Sequence, residues 1–411
     1  MIRLILIQRL KEDLLNHKVL VSILVTTVLL GASMGLSTAD LRNRQEVYGR
    51  NVSHQLELAP LFRPPEVLST LVRGAQADVY GGKSVAGVNF ERIPPASFED
   101  PLLALFPTPD ARFIVQYILS LLALMMAFDL VAGLKERKTL ALIFANPVQR
   151  GRFLLGQCLG SYLGLAVAFL LGFLLSAALL AASGTTAMTA DLAVRMAGIG
   201  LVSLLYLAVS FLLGALFSTL SFDSSRAFLL ALLTWVALVL VLPHLLLLAG
   251  SQLRRVRPIE VVTADKNAVR NDILGKKMAF LTEWPKANEA METIDGKYSH
   301  EVGAQEAAMK AAARLSPAGS YALAASALAG TSIDDAESYI ESVRSYLTRL
   351  RHWVYIEQPA HPEAERPVYF RQRRSSGEAV ALAAADTALL AVWVAGLALL
   401  TFRRFQCYDV R

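Results

Sequence analysis

The sequence has few of the residues that build cofactor sites. Its 411 residues include two cysteines, Cys158 inside a long apolar stretch and Cys407 near the end, so we expect no disulfide between them. The CxxC and HExxH zinc patterns are absent, and the six histidines show no metal-ligand spacing. Gly82-Lys83-Ser84 lacks the earlier glycine that a phosphate-binding loop needs. The sequence therefore predicts no metal ion, nucleotide or other cofactor in this chain.

A catalytic centre is not indicated either. The stretch from Gly31 to Gly35 matches GxSxG, but it lies in an apolar run without the strand–turn–helix setting that such a nucleophile needs. No nucleophile paired with a base and no metal-binding cluster stands out. We therefore predict that the chain is not an enzyme.

Apolar residues are abundant: 55% of the chain is hydrophobic and the mean hydropathy is +0.45. The first long apolar stretch fits an uncleaved signal anchor better than a cleaved signal peptide, because it is long and 18 residues precede it. Together the stretches predict an all-α integral membrane protein with six transmembrane helices and a mostly helical extracytoplasmic domain. Each is about as long as a helix that crosses a bilayer, and they cover residues 19–36, 113–131, 153–182, 192–217, 227–249 and 380–402.

Basic residues at the flanks of these stretches predict the topology. Lysine and arginine are frequent before the first stretch, between the second and third, and after the sixth, whereas residues 183–191 contain none. Basic flanks mark the cytoplasmic side of a membrane, so we place both termini in the cytoplasm. This topology explains the net charge of +6 and the pI near 9.3 better than nucleic acid does, and we expect no nucleic-acid partner.

The spans divide the chain into five predicted parts, one of which contains a short cytoplasmic helix at 134–147. Within the larger excursion, we expect the apolar helix at 320–328 to pack on the domain core; dipping toward the membrane is the alternative. The five parts are an interfacial helix with the first transmembrane helix at 1–36, an extracytoplasmic loop at 37–112, transmembrane helices two to five at 113–249, a helical extracytoplasmic domain at 250–378, and the sixth transmembrane helix with a cytoplasmic tail at 379–411.

The cytoplasmic segment between the second and third spans mixes charged and apolar residues. Charged residues of the run from Lys135 to Lys138 precede the apolar Leu140 and Phe144, and Pro147 stops the pattern. This predicts an amphipathic helix of about three turns along the membrane surface. On composition alone, a plain connector with anchoring arginines is the favoured alternative.

Two further sets of residues are candidates for packing or function. Small residues recur every four positions in the third span, which lets another helix approach closely; packing within one subunit is favoured over a dimer seam. Ionisable residues near the outer helix ends form a candidate polar path, with snorkelling to the interface as the favoured alternative. The ridge includes Gly156, Gly160 and Gly164, and the ionisable residues are Arg195, His244 and Asp386.

The run FDLVAGLKERKTLALIFANPVQRGRFLLGQCLG, which begins at Phe128, resembles the signature of ABC transporter permeases of the type-two exporter family. The resemblance covers all six spans in order and is most specific over 128–164. It implies that the 134–147 segment is a coupling helix that docks on an ATPase subunit. Leu134 stands where an acidic residue is common, and Lys138 replaces the usual glycine. The implied docking or positioning residues are Glu136, Arg137, Thr139, Leu140, Phe144, Asn146, Pro147 and Arg150.

The resemblance implies a permease subunit for export or mechanical extrusion in the bacterial cytoplasmic (inner) membrane. It would work as a dimer, with itself or a sister permease, over separate ATPase subunits that hold ATP and Mg²⁺. Residues 315–335 resemble a permease subgroup with a large extracytoplasmic insertion between the fifth and sixth spans, a domain that would recruit the substrate or an extracytoplasmic partner. The alternative is a membrane-anchored sensor or scaffold whose outer helical domain binds a partner. The residues do not identify the substrate.

Overall fold

The computed structural model describes residues 2–54, 64–74, 109–145, 147–275, 280–353 and 373–407, with a few positions between 357 and 367. Within these residues every regular element is helical, which confirms the predicted all-α class. We number the helices in chain order: α1 Ile2–Leu15, α2 Lys18–His54, α3 Ala111–Phe113 continued by Ile114–Leu119 and Ser120–Ala127, α4 Ala132–Glu136, α5 Thr139–Phe144, α6 Arg150–Ala182, α7 Ala190–Leu220, α8 Ser224–Leu253, α9 Ile259–Gly275, α10 Phe280–Ala313, α11 Pro317–Ala329, α12 Ile333–His352 and α13 Ser376–Gln406.

Six of these helices are long and apolar enough to cross a membrane, as the sequence predicts. They begin and end close to the predicted limits, except for the first. The six segments are Lys18–Arg50, Ala111–Glu136, Arg150–Ala182, Ala190–Leu220, Ser224–Leu253 and Ser376–Gln406.

α2 continues far beyond the apolar stretch that defined the first span. Its 37 residues correspond to about 55 Å, well over the thickness of a hydrocarbon core. The prediction of a loop from residue 37 onward is therefore wrong up to His54. The polar extension contains no proline, and ion pairs one turn apart support it, between Asp40 and Arg44 (3.1 Å) and between Glu46 and Arg50 (3.3 Å). Residues 55–63 and 75–108 of the predicted loop lie outside the described residues.

Polar side chains determine where several helices begin. Thr189 accepts a hydrogen bond from the Leu192 amide at the start of α7. Ser332 and Ser375 begin α12 and α13, each in a capping box with an acidic residue three positions later. The cap of α12 is Ser332 rather than its neighbour Thr331.

The chain divides into two compact units, Met1–Trp235 with Ser320–Arg411, and Val236–Gly319. The second unit contains α9, α10 and the later part of α8. In it Gly250 lies against the backbone of Met309, where a Cβ would be 2.8 Å from the Met309 Cα. Arg257 donates to both carboxylate oxygens of Glu301 at 3.0 and 3.1 Å, and these bonds hold the pKa of Glu301 below its usual value.

The first unit includes α11 from Ser320 onward, which the sequence assigned to an extracytoplasmic domain at 250–378. Tyr321 stacks on Tyr206 in the middle of α7, with ring centroids 4.6 Å apart, and its hydroxyl lies 3.1 Å from Ser203 Oγ. Further along, a Cβ on Gly198 would touch Leu328 at 3.1 Å. α11 therefore packs along a transmembrane helix rather than on a separate domain core. Its small and apolar residues, alanines above all, permit this close contact.

Candidate functional site

The segment between α3 and α6 is two short helices rather than the single helix predicted at 134–147. α4 ends at Glu136, and Lys138 adopts a left-handed conformation with φ of 55° before α5 begins at Thr139. That conformation strains any residue with a Cβ, whereas glycine adopts it without strain. α5 ends at Phe144. Asn146 lies outside the described residues.

Ser218, near the end of α7, fixes the start of α4. Its hydroxyl oxygen accepts hydrogen bonds from the backbone amides of Val131 (2.9 Å) and Ala132 (3.0 Å). Ser218 is fully buried. The first turn of a helix leaves amides without partners, and here a neighbouring helix supplies the acceptor. α4 is thus bonded to α7 at its first residues.

The end of α4 is bonded to both α7 and α8. Lys135 Nζ donates to the carbonyl oxygens of Thr219 (2.5 Å) and Ser221 (3.0 Å), which terminate α7. Glu136 Oε2 accepts from the Ser224 amide (3.2 Å) and hydroxyl (2.8 Å) at the start of α8. A cation at a helix carboxyl end and a carboxylate at a helix amino end both have the favourable sign. A displacement of α4 would therefore strain its hydrogen bonds to the end of α7 and the start of α8.

α5 turns Leu140 and Phe144 toward the bundle. Leu140 is 3% exposed. Phe144 meets Phe153 of α6 edge-on at 5.5 Å and lies 6.0 Å from Phe405 of α13. The Arg150 guanidinium covers the Phe144 ring at 5.9 Å and donates to the Gln406 carbonyl. These three predicted site residues therefore position α5 against α6 and α13.

A different set of side chains forms the free surface of the segment. Glu136, Arg137, Lys138 and Pro147 are exposed, and Thr139 is half-buried with its hydroxyl on the Leu134 carbonyl at 3.2 Å. Leu142 is 70% exposed, yet the sequence analysis did not select it. The signal was its position two residues after Leu140, which on a helix points it away from the buried side.

A cluster of charges joins α1 and α2 to the end of α3. Arg9 pairs with Asp13 at 3.0 Å and with Asp129 at 3.6 Å, and Lys18 Nζ contacts Asp129 at 2.6 Å. Asp13 is fully buried and Arg9 is 8% exposed. Asp129 precedes α4 by three residues, so the amino-terminal helix is bonded to the same junction as the segment. We call the end of the bundle that carries this cluster and α4 the basic end.

The small-residue ridge of α6 lies against α1 and α2 of the same chain. A Cβ on Gly156 would be 2.8 Å from the Ile5 side chain, and one on Gly160 would be 2.8 Å from the Leu6 carbonyl oxygen. Gly164 meets Val19 in the same way at 2.8 Å. The glycines thus let two helices of one subunit approach α6.

The three residues of the candidate polar path have separate surroundings. Arg195 is 4% exposed, pairs with Asp191 at 3.0 Å and donates to the backbone carbonyls of Leu328 (3.5 Å) and Arg374. Asp386 is also buried, on α13. His244 is exposed, with Nδ1 2.7 Å from the carbonyl of Leu240 in its own helix. Arg195 holds helix ends together; a path through the three residues stays a prediction.

The fold and the segment together define a multi-pass helical membrane protein in which a short charged connection is bonded to several transmembrane helices. The ABC-2 family transporter protein family matches residues 19–410, and the chain belongs to that family. It is similar to “Probable ABC transporter permease protein NosY” of Pseudomonas aeruginosa, with 35% identity over 94 residues, 23% of this chain and 30% of that protein. The protein of the same name from Stutzerimonas stutzeri is 42% identical over 57 residues, 14% of this chain and 21% of that one. The matches thus span less than a third of the length of these curated relatives.

Proposed function

We propose that this chain is the membrane-spanning permease subunit of an ABC transporter and that a separate ATPase subunit, which holds ATP and Mg²⁺, docks on residues 132–150. The transported substrate would leave the cytoplasm or be extruded mechanically. Family membership supports the permease assignment. The docking site rests on one observation: α4 is bonded at its start to Ser218 and at its end to Ser221 and Ser224.

These bonds suggest which helices receive the force of the ATPase. The chain continuity of α3 into α4 carries motion to the second span. The Lys135 and Glu136 contacts carry it to the fourth and fifth spans. Phe144 and Arg150 add a contact to the third and sixth helices. An ATPase that displaced this segment would therefore act on most of the bundle at once.

The exposed face of the segment is the docking surface in this proposal. It combines the cations of Arg137 and Lys138 with the apolar side chain of Leu142, which is 70% exposed. Apolar residues surrounded by charges are typical of protein interfaces. Leu140 and Phe144 lie on the opposite, bundle-facing side of α5, where they would position the docking surface without contacting the ATPase.

The remaining parts of the proposal follow from topology and family. The basic end faces the cytoplasm, so both termini are cytoplasmic and the protein resides in the bacterial inner membrane. The permease acts as a dimer with itself or with a sister permease. The unit formed by Val236–Gly319 recruits an extracytoplasmic partner or the substrate. A membrane-anchored sensor or scaffold is the competing function, and it would need no ATPase.

Co-purification from membranes tests the proposal. We expect a P-loop ATPase, produced with the permease, to co-purify with the wild-type chain and to hydrolyse ATP. Leu142→Asp should abolish that association by placing a charge in the interface. Leu15→Asp is the matched control, because Leu15 is 78% exposed on the same side of the bundle but outside the segment. An ATPase that binds Leu142→Asp as well as wild type would refute the docking surface, and no ATPase at all would favour the sensor.

A further inference from the structure

Two transmembrane helices contain π-helical segments, one in α3 at Ile114–Leu119 and one in α8 at Val236–Val241. A π-helical turn holds one extra residue, is a common place for a helix to kink and is frequent at functional sites. α6 and α7 are also apolar spans of more than 30 residues, and they are described as uninterrupted α-helices. Of the four helices α3, α6, α7 and α8, π-helical segments therefore occur in α3 and α8, the second and fifth spans.

One hydrogen bond joins the two irregular helices at the edges of their π-helical segments. Trp235, the last residue before Val236, donates from Nε1 to Ser120 Oγ at 3.0 Å, and Ser120 is the first residue after Leu119. Both side chains are buried, so water does not compete for the bond. Ser120 in turn donates to the Gln116 carbonyl inside the π-helical segment at 2.6 Å.

On the basic-end side of this bond, α3 and α8 are packed tightly onto α7. A Cβ on Gly214 of α7 would be 2.7 Å from the Leu124 carbonyl of α3. Phe128 and Phe228 meet edge-on at 5.3 Å, which joins the end of α3 to α8. α4 completes the block through its bonds to α7 and α8.

We infer that Ser120 and Trp235 are positioning residues for energy coupling. Their bond makes the basic-end parts of α3 and α8 turn as one body with α4, and the two π-helical segments are the hinges about which this body moves. ATP-driven displacement of α4 then bends α8 at Val236–Val241 rather than tilting it as a rigid rod. This inference rests on the proposed permease function, because the force comes from the ATPase.

Paired spin labels on α8 test the hinge in the complete complex. In a background with Cys158→Ala and Cys407→Ser, cysteines replace Leu229 and Leu248, two exposed residues on either side of the π-helical segment. They are 19 positions apart, about 28 Å along a helix. We expect their distance to change by several ångström when the ATPase is trapped with ADP and vanadate. The control pair, Leu201 and Leu220 of α7, has the same separation and should not change.

Trp235→Phe tests the link, because phenylalanine keeps an aromatic ring but has no N–H donor. We expect ATP hydrolysis to continue while the change in the α8 distance shrinks several-fold. Thr234→Val is the control, since Thr234 donates only to the Leu230 carbonyl of its own helix among its described bonds.

Constant α8 distances in a complex that hydrolyses ATP would overturn the hinge and leave the permease function intact. A full distance change in Trp235→Phe would overturn the role of the bond. If no ATPase associates with the wild-type chain, the proposed function and this inference fall together.

Discussion

Glu136 caps the fifth transmembrane helix through Ser224, whose amide and hydroxyl both donate to Glu136 Oε2, at 3.2 and 2.8 Å. Glu136 belongs to α4, the five-residue helix that follows the second span. The capping bond therefore joins α4 to the start of α8. Because the contact is exposed, it can be removed without disturbing the packed core. It is therefore the most direct place to separate coupling from folding.

Glu136→Gln should weaken coupling and preserve the complex. Glutamine keeps the shape but loses the negative charge that favours a helix amino end. We expect the ATPase still to co-purify and the permease-dependent stimulation of ATP hydrolysis to fall several-fold.

Asp223→Asn provides the matched control for this substitution. Asp223 is a neighbouring acidic residue whose described ion pair is with Arg226, at 3.1 Å, rather than with α4. Loss of co-purification in Glu136→Gln would instead place Glu136 in the ATPase interface.

Lys138→Gly should stabilise the segment. Lys138 has φ of 55°, and a residue with a Cβ pays about 1 kcal/mol or more in that region, whereas glycine does not. We expect a higher thermal unfolding midpoint for the purified permease.

Lys138→Ala separates this backbone effect from the loss of charge, because alanine removes the ammonium group but keeps the Cβ. Lys138→Ala should not raise the midpoint. Equal midpoints for the glycine and alanine variants would show that strain at this position is not released.

Gly160→Ala should loosen α1 from α6. The new Cβ would be 2.8 Å from the Leu6 carbonyl oxygen and 3.0 Å from the Arg9 Cβ, and a helix backbone cannot move aside cheaply. Overpacking of this kind costs about 1–3 kcal/mol, which thermal unfolding of the purified permease would report. Gly396→Ala is the control, because a Cβ there meets no atom of the described chain within 4 Å. Equal stability of the two variants would contradict the tight contact.

Arg195→Met should destabilise the fold even with no substrate present. The substitution leaves Asp191 and the carbonyls of Leu328 and Arg374 without their shared donor, at a cost of about 1–3 kcal/mol. Arg226→Met is the control. Because the Arg226 side chain is 76% exposed, this substitution should have little effect on the unfolding midpoint. A variant of Arg195 with wild-type stability but altered transport would instead support the polar path.

The packing position of α11 could not be predicted from the sequence. Its composition predicted a short apolar helix ending near Gly330, and α11 ends at Ala329. The same composition suits a domain core and a groove between transmembrane helices. The stacking of Tyr321 on Tyr206 decided between them, and that contact joins residues more than a hundred positions apart.

The segment between α3 and α6 divides in the same way. Its charges and its proline left a plain connector open, and the resemblance to type-two exporter permeases selected it as a candidate site. Periodicity did not predict the break at Lys138. It also did not show that Leu140 is buried, from which the outward position of Leu142 follows, because six residues of helix are too few to define a face. The cluster of Arg9, Asp13 and Asp129 was missed because Asp129 is more than a hundred positions from the other two.

The sequence by itself determined the number, the approximate limits and the predicted orientation of the transmembrane helices. Those properties depend on the local density of apolar and basic residues, which each stretch carries independently of the others. Only the tertiary structure decided which side chains connect the helices, such as Ser218 to Ala132 and Trp235 to Ser120. Such bonds depend on the rotation and depth of each helix within the bundle, and these are fixed by packing against neighbours rather than by the helix's own residues.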